Sequence, residues 1–164
     1  ICATGIGSSH EYLRSIDPKT VGLIVIDEAT QASELECLVP LTAFPHSQIV
    51  MIGDHKQLPP TILSHEAKKG GKEYSLFGRL IEFGSVVGTT NMSPLYSSIM
   101  LDEQYRMHPD ISAFPNTQFY NGKLSNGVTA RQRPLPEPTY IWPSNAKGKK
   151  SCVAFYPTGG EEIQ

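Results

Sequence analysis

Two short apolar runs stand out in the hydrophobic pattern of the chain. Residues 23–26 read Leu-Ile-Val-Ile and residues 49–52 read Ile-Val-Met-Ile. Four-residue runs rich in β-branched side chains are typical of buried strands in a parallel sheet. The first run is followed by Asp27 and Glu28, and Asp54 comes soon after the second. We therefore expect two neighbouring parallel strands with acidic side chains at their carboxyl ends.

Between the two runs the pattern becomes helical. Ser33 is followed three residues later by Glu36, which is the arrangement of a capping box at a helix start. Apolar and small side chains then recur at helical spacing up to Pro45: Leu35, Leu38, Val39 and Thr42. A helix of about ten residues is predicted here. Strand, helix and strand in this order form the βαβ unit of an α/β fold.

The remaining pattern predicts shorter elements separated by Gly- and Pro-rich segments. In the first part of the chain we expect a strand end and a Gly/Ser loop over 1–9, a polar loop over 56–72, a helix over 75–83 and a loop or hinge over 84–98. In the second part we expect a strand over 99–101, a helix over 110–119, an extended segment over 121–150 and a strand over 152–156. Pro115 should kink or divide the helix over 110–119.

Composition narrows the class of protein. The chain has 164 residues, 39% of them hydrophobic and 18% charged, which fits a globular protein with one ordinary domain rather than two complete ones. Its net charge of −2 gives no general basic field, so any contact with nucleic acid must be local. No apolar run approaches the roughly 18–20 residues that a membrane span needs. We expect an intracellular protein, cytoplasmic or nuclear, that has no membrane partner.

The three cysteines do not form a recognisable framework. Cys2, Cys37 and Cys152 are far apart, odd in number and without the C-x-x-C spacing of zinc sites. We interpret them as small apolar side chains in a reducing compartment. The first residues lack an initiator Met and do not resemble a signal peptide, so we expect the chain to be a piece of a longer protein.

Three polar segments contain residues that could take part in catalysis or ligand binding. After the first strand, Asp27 could hold Mg²⁺ and Glu28 could polarise an attacking water, although a charged strand end without function is the alternative. After the second strand, the amide of Gln57 could link a phosphate oxygen or a water to another element. Pro59 and Pro60 fix the backbone and could transmit a rigid displacement, while an ordinary polar turn is the alternative.

The third segment is Gln104-Tyr105-Arg106-Met107-His108-Pro109. An aromatic ring beside a guanidinium can stack on a base while the guanidinium reaches a phosphate. The alternative is a buried Tyr105 with a structural ion pair of Arg106 to Asp102 or Glu103. His108 is expected to start a helix rather than to act as a catalyst or metal ligand.

In this order and spacing, the three segments resemble superfamily 1 helicases, and among them the up-frameshift-like group of RNA and DNA helicases. Residues 27–31 are similar to motif II, residues 53–60 to motif III and residues 104–109 to motif IV. Ala3-Thr4 and the loop after it resemble motif Ic. Residues 75–80 and 119–124 also resemble stretches of this group, so the resemblance covers most of residues 1–124.

The resemblance implies a RecA-like P-loop NTPase fold, here partial, with a parallel sheet and flanking helices. Residues 1–100 would be the carboxyl-side part of a first RecA-like domain, and residues 101–164 the amino-side part of a second. It also implies an ATP-dependent helicase with ATP and Mg²⁺ as cofactors and a single-stranded nucleic acid as partner, RNA being slightly favoured over DNA. Regulatory protein partners fit the same group.

The resemblance also assigns roles to single residues. Asp27 would bind Mg²⁺, Glu28 would be the catalytic base, and Gln57 would sense the γ-phosphate beside Asp54. Arg106 would approach the γ-phosphate across the cleft, and Tyr105 would pack near the adenine or ribose. The nucleic-acid face would be formed by Thr4, Pro59 and Pro60.

The phosphate-binding loop of such an ATPase, G-x-x-x-x-G-K-[ST], has no match in the chain. Gly70-Gly71-Lys72-Glu73 lacks the earlier Gly and the final Ser or Thr, and it follows no strand. We expect the loop upstream of Ile1 and the later motifs downstream of Gln164, so that the isolated chain would be inactive. An inactive helicase-like scaffold and a P-loop NTPase that is not a helicase are the alternatives.

Overall fold

The computed structural model describes residues 1–87, 97–134 and 152–153. The chain divides into two compact units, Ile1–Ser98 and Ile99–Gln164. These bounds lie close to the predicted division at residue 100, while the assignment of the units to two RecA-like domains stays a prediction.

The first unit is built around the predicted βαβ arrangement. Strand β1 spans Leu23–Ile26, and helix α2 spans Glu34–Ala43. Strand β2 spans Gln48–Met51 and pairs with β1 in parallel, with Val25 opposite Val50. The capping box at the start of α2 is present, since Ser33 and Glu36 exchange hydrogen bonds. The strand, helix and strand order predicted from the pattern is therefore confirmed.

The two strands are less buried than their composition predicts. Side chains on one face of the sheet are about half exposed: Leu23 (51%), Val25 (53%), Val50 (43%) and Ile52 (45%). Ile24 and Ile26, which point to the opposite face, are less exposed, and α2 contacts β1. Ile49, which shares that opposite face because it pairs with Ile24, is nevertheless 50% exposed. The prediction of buried strands is wrong because, among the described residues, helix packing leaves much of this two-stranded sheet uncovered.

The buried face of α2 also differs from the predicted one. Cys37, Pro40 and the capping residue Phe44 are buried, whereas Leu35 (61%) and Leu38 (40%) are exposed. Helix α2 packs against a 3₁₀ helix over Ile6–Ser9, where a strand end and loop were expected. Burial of small side chains allows this close approach, which hydrophobicity alone does not predict.

Several short helices were not predicted. Helix α1 spans Glu11–Arg14, a 3₁₀ helix spans Pro18–Thr20, and α3 spans His65–Lys69 inside the expected polar loop. Helix α4 spans Leu76–Val87 and extends beyond the predicted end at residue 83 into the expected loop. The side chain of Ser64 accepts a hydrogen bond from Ala67 N at the start of α3.

In the second unit, β3 spans Glu103–Gln104 and pairs in parallel with β4, Ser125–Asn126. The strand predicted over 99–101 is therefore displaced, and Ile99 and Leu101 are more than four-fifths exposed. Helix α5 spans Pro109–Phe119 with Pro115 inside it, so of the two predicted effects of Pro115 the division of the helix is wrong, while a kink stays a prediction.

Two expected elements fall largely outside the described residues: the strand over 152–156, and most of the extended segment over 121–150.

The interpretation of the cysteines as small apolar side chains holds for Cys37, which is buried, and is wrong for Cys2, which is exposed. Burial raises the pKa of the Cys37 thiol, with smaller contributions from the carboxylates of Glu36 and Glu34. No helix within the described ranges is long and apolar enough to span a membrane.

Candidate functional site

The acidic pair after β1 lies in a tight turn that continues the strand ladder. Ile52 N donates to Ile26 O at 2.8 Å, and Ala29 N donates back to Ile52 O at 2.8 Å. Asp27 and Glu28 therefore occupy the turn between these two backbone bonds, at the carboxyl end of both strands. This end of a parallel sheet is where α/β proteins bind their ligands.

Glu28 adopts a backbone conformation that is unusual for a residue with a side chain. Its φ is +50°, in the left-handed region that favours glycine. Three hydrogen bonds surround this conformation: Asp27 Oδ1 accepts from Glu28 N at 2.9 Å, Gln31 N donates to Glu28 O at 2.9 Å, and Gln31 Nε2 donates to Glu28 Oε2 at 3.4 Å. Backbone of this kind costs about 1–3 kcal/mol and concentrates at functional sites.

The turn after β2 packs directly on the turn after β1. A β-carbon at Gly53 would lie 3.1 Å from Thr30 N and 3.3 Å from Ala29 N, which is closer than side chains ordinarily approach backbone. Ala29 and Thr30 are almost completely buried. Any side chain at this position would push the two turns apart, so Gly53 lets the two strand-end turns pack closely. Sequence reasoning gave Gly53 no such role.

Asp54 and Gln57 form a polar turn at the same end of the sheet. Asp54 Oδ2 accepts a hydrogen bond from Gln57 Nε2 at 2.7 Å, and Asp54 Oδ1 accepts one from Lys56 N at 3.0 Å. Gln57 N donates to Asp54 O, which closes the turn. The structure thus confirms that Asp54 and Gln57 emerge from the strand next to the one that carries Asp27.

Of the predicted nucleic-acid residues, Pro59 and Pro60 follow the Asp54–Gln57 turn along the chain, whereas Thr4 lies in a different loop. Thr4 is exposed, and its Oγ1 accepts from Gly7 N at 3.0 Å at the start of the first 3₁₀ helix. Among the described residues no hydrogen bond joins Thr4 to either strand-end turn. Pro59 is exposed and Pro60 is buried. Thr4 and Pro59 are therefore accessible to a ligand, whereas Pro60 is not.

In the second unit, Tyr105 and Arg106 lie on a turn held by the side chain of Gln104. Gln104 Oε1 accepts from Arg106 N at 3.0 Å and from Met107 N at 2.7 Å. Its amide nitrogen donates to Met107 O at 2.9 Å and to Asn126 Oδ1 at 2.6 Å. One side chain therefore fixes the backbone of the entire turn.

A residue far along the chain supports the same turn. The guanidinium of Arg133 donates to Tyr105 O at 2.8 Å and to Arg106 O at 3.2 Å. A β-carbon at Gly127 would overlap the Tyr105 ring, so glycine makes room for that ring. Neither Arg133 nor Gly127 was identified from the sequence, because no local pattern marks a residue more than twenty positions away.

Tyr105 is 57% exposed, so the alternative of a buried tyrosine is wrong. Its hydroxyl interacts with the Glu103 carboxylate, which raises the pKa of the Tyr105 phenol. Arg106 is exposed, and in the described part of the chain no ion pair links its guanidinium to Asp102 or Glu103. The ring and the guanidinium are both available to a ligand, as the prediction requires.

His108 begins α5, as expected. Its Nδ1 accepts a hydrogen bond from Asp110 N at 3.0 Å, and Pro109 occupies the first helical position. Both features favour a helix start.

Parallel strands with flanking helices and polar turns at the carboxyl ends define a partial RecA-like α/β fold. Comparison with known proteins supports this class. Two family models, each described as an AAA domain, match residues 1–65 and 72–164.

The chain is 42% identical over 143 residues to the ATP-dependent helicase NAM7 of Saccharomyces cerevisiae, a match that covers 87% of the chain and 13% of that relative. It is 40% identical over 163 residues to the Regulator of nonsense transcripts 1 homolog of Arabidopsis thaliana, covering 99% and 12%. Helicase SEN1 of Saccharomyces cerevisiae is 41% identical over 127 residues, covering 77% and 5%.

The chain belongs to the AAA domain family, and within it to the up-frameshift-like group of superfamily 1 helicases. It spans about an eighth of the length of the first relatives. The catalytic, cofactor and nucleic-acid roles of the single residues stay predictions.

Proposed function

We propose that this chain is a segment of an ATP-dependent helicase that moves on single-stranded nucleic acid. The observation that carries the proposal is the pair of joined turns at the carboxyl end of β1 and β2, with Asp27 and Glu28 on one turn and Asp54 and Gln57 on the other. The names of the relatives, ATP-dependent helicase and helicase, support the same activity.

The donors on these turns fit a nucleotide-bound Mg²⁺ ion. Asp27 is exposed and presents carboxylate oxygens, which are the ligands that Mg²⁺ takes from proteins together with water and phosphate oxygens. When bound, the ion would neutralise charge that develops on the transferred phosphoryl group. The role assigned to Asp27 is to hold that ion.

Glu28 takes the role of general base toward the attacking water. Its backbone is left-handed at the end of the strand, and Gln31 Nε2 donates to its carboxylate at 3.4 Å. A positioned base of this kind contributes roughly 10²–10⁴-fold to a rate. The Glu28 side chain is exposed, so its carboxylate oxygens can be reached by water.

Gln57 is assigned to the coupling between nucleotide and nucleic acid. Its amide now donates to Asp54 at 2.7 Å. Arrival of a γ-phosphate would offer the same amide a second acceptor, and exchange between the two would move the turn that leads into Pro59 and Pro60. In the second unit, Tyr105 and Arg106 are assigned to the nucleotide, and Thr4 to the nucleic-acid backbone.

RNA is favoured over DNA as the substrate, because several relatives are named regulators of nonsense transcripts. Regulatory protein partners and an intracellular site of action, cytoplasmic or nuclear, belong to the same proposal.

The test measures ATP hydrolysis by the full-length parent protein without nucleic acid, with single-stranded RNA and with single-stranded DNA. Stimulation by a single strand supports the helicase proposal, and stronger stimulation by RNA supports the substrate preference. Hydrolysis that no strand affects would indicate a P-loop NTPase without helicase activity. Binding of a strand without any hydrolysis would indicate the inactive scaffold.

A second experiment concerns the isolated 164-residue chain. We expect no ATP turnover above background, because the chain contains no G-x-x-x-x-G-K-[ST] sequence to bind the phosphates. A radiolabelled phosphate-release assay measures this directly. Turnover that disappears in the Glu28→Gln chain would contradict the expectation.

A further inference from the structure

Three metal-ligating side chains converge at the start of α5 in the second unit: His108, Asp110 and Cys152. The Cys152 sulfur lies 3.2 Å from His108 Nδ1 and 3.5 Å from Asp110 Oδ2. His108 Nδ1 and Asp110 Oδ2 are 3.9 Å apart. Imidazole, carboxylate and thiolate all belong to the usual ligand set of zinc.

These separations fit a tetrahedral ion. With Zn–S near 2.3 Å and Zn–N and Zn–O near 2.0–2.2 Å, tetrahedral angles put the ligand atoms about 3.4–3.6 Å apart. Of the observed separations, 3.2 Å lies below that range, 3.5 Å within it and 3.9 Å above it. Small side-chain rotations would bring the three atoms to bonding distance of one centre.

The three side chains differ in exposure, so the cluster can be reached by solvent from the side of Asp110. The His108 side chain is 10% exposed, the Asp110 side chain is 56% exposed, and Cys152 is intermediate. Three protein ligands with an accessible fourth position resemble open zinc sites, in which water completes the coordination.

The hydrogen bond by which His108 caps α5 would have to break before Nδ1 could bind a metal ion. His108 Nδ1 accepts the Asp110 N–H bond, and the same lone pair cannot also bind a metal. In the arrangement without metal, the Cys152 thiol can donate to the Asp110 carboxylate. Metal binding would replace the cap bond, leave the imidazole proton on Nε2, and release the thiol proton to solvent.

We propose that His108 Nδ1, Asp110 Oδ2 and Cys152 Sγ form a binding site for a borderline-soft divalent metal ion such as Zn²⁺. The site lies outside the turns that carry the proposed ATP hydrolysis and does not depend on them. Metal binding would link Cys152 to the start of α5 through His108, which is two residues beyond Arg106.

The test titrates Co²⁺, a spectroscopic substitute for Zn²⁺, into the 164-residue chain and records the thiolate-to-cobalt charge-transfer absorption. The band should appear in the wild-type chain and be lost in Cys152→Ser. Cys2→Ser removes the exposed cysteine of the first unit and should leave the band unchanged. Absence of the band in the wild-type chain, or its persistence in Cys152→Ser, would overturn the proposal.

Two further variants separate metal binding from helix capping. Asn is a good helix N-cap, so His108→Asn retains the cap while removing the imidazole. Asp110→Asn retains the shape while removing the charge. Each should weaken Zn²⁺ affinity, measured by competition against Co²⁺, by at least about tenfold, since even residues that only support a metal ligand cost this much.

Circular dichroism should show unchanged helix content in both variants. Zn²⁺ should raise the melting temperature of the wild-type chain and leave that of Cys152→Ser unchanged, because an ion that binds only the folded state stabilises it. Unchanged Zn²⁺ affinity in either His108→Asn or Asp110→Asn would rule out the three-ligand site.

Discussion

The two candidate ligand-binding regions are held in different ways. In the first unit the turns after β1 and β2 are fixed by backbone, through the Ala29–Ile52 hydrogen bond and the close approach of Gly53. In the second unit the Tyr105–Arg106 turn is fixed by side chains, through Gln104 and Arg133. The first arrangement should tolerate change at neighbouring side chains, and the second should not.

The difference also explains what each region requires of the sequence. A backbone-held turn needs a strand, a short turn and one glycine, all of them close together along the chain. A side-chain-held turn needs particular polar groups from distant positions, here Asn126 and Arg133, 22 and 28 residues from their partners. The Glu28 carboxylate, whose hydrogen bond from Gln31 Nε2 is long at 3.4 Å, can therefore change on the first scaffold without loss of its shape.

The largest stability effect is expected at Gly53. Gly53→Val places a branched side chain against Ala29 N and Thr30 N, so the two turns must separate. We expect a loss of about 3 kcal/mol in the free energy of unfolding, the upper end for overpacking. Urea denaturation followed by circular dichroism measures it.

Gly22→Val is the matched control, since a β-carbon at Gly22 meets no atom within 4 Å. Its effect should stay within about 0.5 kcal/mol, as for other exposed positions. Equal losses for the two variants would show that the close approach of Gly53 does not hold the turns.

A smaller loss is expected at Gln104. Gln104→Leu keeps the size of the side chain and removes the acceptor of Arg106 N and Met107 N. Because Arg106 is exposed and Met107 is only partly buried, the loss of these hydrogen bonds should cost about 1 kcal/mol. Amide hydrogen exchange at Arg106 and Met107 should become faster than in the wild-type chain.

Gln118→Leu, the same substitution at an exposed position of α5, should leave the exchange at those two amides unchanged. If Gln104→Leu also left it unchanged, the side-chain network would not be what holds the turn.

The smallest effect concerns the titration of Tyr105. The Glu103 carboxylate raises the pKa of the Tyr105 phenol, which favours the neutral form in the folded state. This contribution is present below the pKa of the unfolded chain and is lost as pH rises through the higher folded pKa. In Glu103→Gln the pKa of Tyr105 should fall toward its ordinary value, as measured by NMR of ¹³C-labelled tyrosine.

Tyr74 provides an internal control, because the neighbouring Glu82 raises the pKa of its phenol. The pKa of Tyr74 should not change in Glu103→Gln. A parallel fall at both tyrosines would indicate a general change of the chain rather than the local contact.

Sequence reasoning was most successful where a feature depends on neighbouring residues. The parallel pairing of β1 and β2, the capping box of Ser33 and Glu36, and the helix start at His108 were all predicted and are present. The capping box and the helix start follow from residues within one helical turn. The pairing of Leu23 with Gln48 spans a longer stretch of chain, but it follows from two local strand patterns joined by one helix.

Prediction from the sequence was wrong where a feature depends on packing between residues that are far apart along the chain. The half-exposed face of Val25 and Val50 reflects which elements cover the sheet, and composition cannot reveal this. The displacement of the strand from 99–101 to Glu103–Gln104 reflects pairing with Ser125–Asn126. Among the candidate site residues, the adjacency of the two strand-end turns was predictable, while the roles of Gly53 and Arg133 were not.

Glu28 is proposed to act as a general base on turns that Gly53 allows to pack together. The most direct measurement compares nucleotide affinity and ATP turnover in the full-length parent carrying Glu28→Gln, with the exposed Glu11→Gln as control. Turnover should fall by about 10²–10⁴-fold, while the nucleotide dissociation constant stays unchanged, because a general base acts in the transition state. Equal loss of nucleotide binding and turnover, or turnover as high as that of Glu11→Gln, would contradict the role of Glu28 as general base.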